Sequence, residues 1–237
     1  MLKVLAIGNS FSQDATAMLE TLNDSLYVRN LYIGGCSLER HYNNMISHEA
    51  AYSYEMLGLR LFKISLNEAL LQREWDVITL QQVSGNSGMP ESFYPYLTEL
   101  LSYIREKCPG AKIMLHRTWN YSRTSTHPHF VNYNSDCDVM WNAIKSTYDT
   151  ISKREGLDII PAGDVIKSLY TLPDFDPERG GVSLYRDGFH LSLDYGRYAA
   201  ALTWSARLTG FVPEVSPAGM DAELCAKIQR TVKEVVG

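Results

Sequence analysis

The sequence predicts an α/β fold: a parallel sheet of about five strands with helices on both faces, a three-layer α/β/α sandwich in a single domain over 1–237. Three observations carry that prediction. Apolar runs of strand length alternate with longer amphipathic stretches along the whole chain. The first run, LKVLAIG, is continuously apolar, as a central strand buried on both faces requires. No internal repeat or low-complexity linker divides the 237 residues.

Taken in order, residues 2–8 form the first strand, and 14–26 follow with Ala15, Met18, Leu19 and Leu22 on one helical stripe. YVRNLYI (27–33) reads as the second strand, closed by Gly34-Gly35. A helix is expected over about 49–73, with Leu57, Leu61, Ile64 and Leu71 among its apolar positions. DVITLQQ (76–82), AKIMLHR (111–117) and LDIIPAG (157–163) read as strands three to five. Further helices are expected at 92–107, 136–155, 163–170, 194–209 and 221–236, the first stopped by Pro109-Gly110 and the last capped by Asp221. Residues 118–133 and 171–190 fit neither type; they are long, polar, aromatic and rich in turn residues. Loops of that kind rim the ligand crevice of an open α/β sheet.

Composition narrows the function. The chain is 45% hydrophobic and 21% charged, with a formal net charge of -5. No cluster of Lys and Arg offers a phosphate-binding face, so a nucleic-acid partner is not expected. The four cysteines are scattered, without a CxxC pair, and read as free thiols. No apolar run is long enough to span a bilayer and no signal-peptide pattern follows Met1; the chain as written is expected to be cytoplasmic.

Chemistry concentrates at two places. Gly8-Asn9-Ser10 lies where the first buried strand ends and the first helix begins. A hydroxyl there meets the free N–H groups of a helix start, which can hold an oxyanion; alternatively, Ser10 merely caps the helix. Near the other end, Arg186-Asp187-Gly188-Phe189-His190 precedes the last but one helix. An Asp and a His three residues apart share one side of a turn, so the carboxylate can fix the imidazole tautomer and leave Nε2 free to take a proton. Either motif alone is commonplace. The two together point to nucleophilic catalysis with Ser10 as nucleophile, His190 as base and Asp187 as its orienting acid.

With these residues in view, the chain resembles the SGNH, or GDSL-type, hydrolase superfamily. IGNSFS matches the serine block, IGGCS the second, LQQVSGNSG the third and RDGFHLS the last. IGNSFSQDA, LQQVSG and DGFHLS followed by GRYAAA resemble more closely a bacterial branch (DUF4886-like) related to carbohydrate acetylesterases. The resemblance implies a flavodoxin-like sheet and a Ser10-His190-Asp187 triad. It also implies an oxyanion hole built from the backbone N–H of Ser10 and that of Gly35. The family's third donor is the Asn of a GxND block, which this sequence lacks; Gln82 stands nearer the strand end and Asn86 is the alternative. Asn9 replaces the usual Asp, a change expected to alter a loop hydrogen bond rather than the chemistry.

The expected activity is therefore hydrolysis of a small acyl ester, an O-acetyl group on carbohydrate foremost, with no metal or organic cofactor and neither membrane nor nucleic-acid partner. A lipase or thioesterase of the same superfamily is the nearest rival, and a carbohydrate-binding protein without turnover is the rival from another class. Trp119 and Tyr121 could stack on a sugar ring or pack the long loop onto the sheet, and Arg186 could contact substrate. His116 could face the crevice or sit satisfied at a strand end. His127-Pro128-His129 lacks a nearby Cys or carboxylate and reads as a plain loop rather than a metal site. Cys36 could line the pocket, Asp164 reads as a helix cap, and Tyr195, Tyr198 and Trp204 read as core.

Overall fold

A computed structural model describes all residues, 1–237. Its centre is a seven-stranded sheet of order β4-β3-β2-β1-β5-β6-β7. The strands are β1 (Leu2–Gly8), β2 (Leu26–Tyr32), β3 (Tyr52–Met56), β4 (Leu59–Ile64), β5 (Val77–Leu80), β6 (Lys112–His116) and β7 (Asp158–Ile160). The five strands expected from sequence are all present and run parallel to one another. β1 occupies the middle, pairing with β2 on one side and β5 on the other, and Val4 to Ile7 are fully buried.

Helices α1 (Ser10–Thr16), α2 (Leu19–Leu22), α7 (Ala162–Tyr170), α8 (Tyr195–Thr209) and α9 (Ala222–Val236) pack on one another in one layer. Helices α3 (Leu38–Ser47), α4 (Leu66–Leu71) and α5 (Tyr96–Lys107) pack together in the other. Tyr148 of α6 (Cys137–Glu155) meets Phe93, beside α3, edge-on at 5.6 Å. Tyr195, Tyr198 and Trp204 are buried in α8, as their helical spacing suggests.

The helix expected over 49–73 is not there. The segment is a β-hairpin, β3–β4, added antiparallel to the edge of the sheet, followed by the short α4. Its two-residue turn is Leu57-Gly58, with φ of 53° and 74°, the positive pair that a hairpin following the strand twist demands. Leu59, Leu61 and Phe62 on the edge strand are exposed, so their helix-like spacing reflects no buried stripe. Helix α3 was not anticipated: its apolar content is low, and Ser37 starts it by accepting from the Arg40 N–H. Asp164 does not cap α7; it accepts two hydrogen bonds from the Arg117 guanidinium.

This topology sets the site. The chain leaves β1 toward β2 and leaves β5 toward β6, in opposite directions along the sheet. The carboxyl ends of β1 and β5 therefore open a crevice, the position where ligands bind in open α/β sheets.

Candidate active site

Ser10 opens α1 at the carboxyl end of β1. Asn9 caps that helix, its side chain accepting from the Phe11 N–H at 3.0 Å. The turn before Ser10 is tight: a Cβ on Gly8 would lie 2.6 Å from Ser12 Oγ.

His190 and Asp187, from the loop before α8, reach this turn. Ser10 Oγ lies 2.8 Å from His190 Nε2, and His190 Nδ1 lies 2.7 Å from Asp187 Oδ2. The other carboxylate oxygen accepts from the backbone N–H groups of His190 (2.8 Å) and Phe189 (3.2 Å). Burial pushes the Asp187 carboxyl up, but the hydrogen bonds from the His190 ring and from the two backbone N–H groups outweigh it and hold it below the usual range. The carboxylate thus stays charged and fixes Nδ1 as the donor, leaving Nε2 to accept the proton of the Ser10 hydroxyl.

Asn9 also joins the Ser10 turn to the loop after β2. Its Nδ2 donates to the Cys36 carbonyl at 3.1 Å, while its Oδ1 takes a hydrogen bond from Gln81 Nε2 at 2.9 Å. An aspartate could not make the first bond, so Asn suits this chain at the position the wider superfamily gives to Asp. Gly35 in that loop has φ of +60° and is open to solvent, and its N–H is not spent on any carbonyl.

Other candidates fall differently. Gln82 is 1% exposed and its amide is fully engaged: Oε1 accepts from the Leu38 and Val83 N–H groups, and Nε2 donates to Ser92. It anchors the start of α3 and is not a third oxyanion donor. Asn86, in the turn Ser84–Asn86 after β5, is half-buried and its side-chain amide makes no hydrogen bond within the chain.

Trp119 and Tyr121 have no face to offer a sugar, because both are completely buried. Trp119 stacks on Phe11 at 4.3 Å and donates its indole N–H to the Phe189 carbonyl, bracing both halves of the site from behind. Tyr121 shares a hydrogen bond with Ser84 Oγ at 2.8 Å. Arg186 is corrected too: it grips Asp14 with two 3.0 Å contacts and also donates to the Leu191 carbonyl, so its guanidinium is engaged within the chain. Cys36 is buried and desolvation pushes its thiol up to about 12, so it is no nucleophile.

Sequence reasoning passed over Asp14 and Gln81. Asp14 stands one helical turn after Ser10 and is fully buried, accepting from Arg186, Arg197 and the Leu191 N–H. Its spacing from Ser10 was the available signal. Gln81 passes a hydrogen bond from His116 Nδ1 (2.7 Å) on to Asn9.

His116 and His41 are both fully buried, without a carboxylate partner, and burial pushes each down to about 3. Unfolded, both titrate near 6.5. The unfolded chain therefore binds more protons between those values, and stability should fall as pH drops below about 6.5. Urea unfolding at pH 7 and pH 4.5 should differ by on the order of a few kcal/mol; an unchanged midpoint would show that neither ring is held neutral.

The sequence pattern of the domain of unknown function DUF4886 matches residues 3–220. The chain belongs to the DUF4886 family. A crystal structure of a DUF4886 protein from Bacteroides uniformis is 35% identical, with TM-score 0.90, over 99% of this chain and 94% of that one. The fold extends further. A candidate SGNH hydrolase from Slackia heliotrinireducens is 21% identical with TM-score 0.64, over 87% of this chain and 98% of its own. An acetyl xylan esterase is 15% identical with TM-score 0.58, over 86% and 99%. This DUF4886 chain therefore has the SGNH hydrolase fold, with two strands more than the five parallel ones expected. No curated protein matches it.

Proposed function

We propose that the chain is a serine esterase that removes small acyl groups, acetate on carbohydrate foremost. The observation that carries this reading is the unbroken line from Ser10 Oγ through His190 to Asp187, at 2.8 and 2.7 Å, at the carboxyl end of the central strand. Ser10 Oγ attacks the acyl carbon and its proton passes to His190 Nε2. The oxyanion is held by the N–H groups of Ser10 and Gly35, with the Asn86 amide as third donor in place of Gln82. Collapse expels the alcohol, which takes the proton from His190. Water then attacks the acyl-enzyme, giving its proton to Nε2, and the acid leaves as Ser10 is restored.

The carbohydrate part rests on the polar rim loops and on the likeness to a structure described as an acetyl xylan esterase. A fluorophosphonate probe should label Ser10, and a p-nitrophenyl ester series should be turned over best at acetyl. Rates rising with acyl length would make the chain a lipase-type hydrolase instead. A chain that neither labels nor turns over any ester would refute the esterase reading.

A further inference from the structure

We infer that His127 is a specificity-determining residue of this site, donating a hydrogen bond from Nε2–H to a hydroxyl or ring oxygen on the alcohol side of the ester. The inference rests on the esterase reading and names how the alcohol is recognised. His127 belongs to none of the blocks that carry the resemblance, and its segment was read from sequence as a plain loop.

Its placement is set by two contacts. The loop holding it is pinned to the turn of the triad, since the Ser122 N–H donates to the Gly188 carbonyl at 2.8 Å. Gly188, at φ +85°, leaves room for Ser125 where a Cβ would lie 2.9 Å from Ser125 Cα. On the other side, His129 sits over Gly85, 2.4 Å from where a Cβ would be, beside Asn86. The His127 ring stands edge-on to Phe189 at 4.7 Å, and Phe189 in turn lies 4.1 Å from the His190 ring. The His127–His129 segment thus runs from the loop after β5 to Phe189, which lies against the His190 ring.

Its hydrogen bonding defines what it offers. Nδ1 accepts from the His129 N–H at 3.2 Å, so the neutral ring carries its proton on Nε2. Nε2 has no partner in the chain, yet it is not among the buried unpaired atoms of this half-buried residue, so it is open to solvent. Partial burial, reinforced by the His129 and His190 rings, pushes His127 below its ordinary value and keeps it a neutral donor. Such a group suits an uncharged, hydroxyl-rich alcohol and gives nothing to a bare aryl ester.

The test compares wild type, His127→Phe and His127→Gln on an acetylated methyl xyloside and on p-nitrophenyl acetate. Phe keeps the packing against Phe189 and removes the donor. The expected result is a fall of about tenfold in kcat/KM on the sugar ester, the worth of one neutral hydrogen bond. The aryl ester should be unaffected by Phe, and Gln should recover most of the sugar rate. An equal fall on both substrates would make His127 a support of the triad and overturn the proposal, as would no fall on either. If wild type cleaves only the aryl ester, and loses that rate with Ser10, the carbohydrate reading and this inference fail while the esterase reading stands.

Discussion

Ser10→Ala should lower kcat for p-nitrophenyl acetate by about ten-thousand-fold or more, and His190→Ala by a comparable factor, because the two act as a unit. Neither change should disturb folding, since both side chains meet at the crevice rather than in the core. Asp187→Asn is the sharper probe. The Asn carbonyl oxygen would keep the hydrogen bonds from the N–H groups of Phe189 and His190, which now end on Oδ1. That turns the amide NH2 toward His190 Nδ1, which must then accept, and the ring proton moves to Nε2, facing the serine it should deprotonate. A loss of up to about ten-thousand-fold follows, with an unchanged melting temperature. Near-normal rates in Ser10→Ala or His190→Ala would remove the triad from consideration.

Asp14→Ala should be the most destabilising single change near the site. Asp14 is fully buried, and both Arg186 and Arg197 end on its carboxylate. Removing it leaves two guanidiniums facing each other over a void. Both reach solvent at their edges, which tempers the cost to about 3 kcal/mol, at the low end of the range for broken buried pairs. For a chain of this length that is a fall in Tm of roughly 6–12 °C. Activity should fall as well. Asp14 also accepts from the N–H of Leu191, the residue after His190, and so ties the helix that Ser10 opens to the loop that carries His190. A displacement of about 1 Å there can cost up to a hundredfold in rate. A variant that melts within a degree of wild type and keeps full turnover would show that the network neither holds nor aligns the site.

The parts of the molecule that were legible in the sequence are those governed by burial. The five parallel strands announced themselves because a strand covered on both faces must be apolar throughout, and 2–8 is the extreme case. The hairpin at 52–64 hid because an edge strand obeys no such rule. Leu57, Leu61 and Ile64 mimic a helical stripe, and the turn uses Leu57 where Asn or Asp would have signalled it. In the site, Ser10, Asp187 and His190, which the structure brings into one hydrogen-bonded line, could be grouped because nucleophilic catalysis would need those residue types at a strand end and before a helix. Trp119, Tyr121 and Arg186 were misplaced for one reason: a side chain in a polar loop near a crevice can point inward or outward, and the sequence does not say which. Gln82 failed as a donor because its amide is consumed by partners 10 and 44 residues away. Such long-range pairings leave no local trace.

The hydroxyl of Ser10 and the ring of His190 touch although 180 residues of chain separate them. On a translating ribosome, adding about 5–20 residues per second, His190 follows Ser10 by roughly ten seconds or more. Throughout that interval the hydroxyl has no proton acceptor and is as inert as any other serine. On the esterase reading proposed above, the nascent chain is silent toward esters while its central sheet is still being assembled. On that reading a product cut short between residues 10 and 190 stays silent, and the first turnover by any molecule would report that Ser10 and His190 have met.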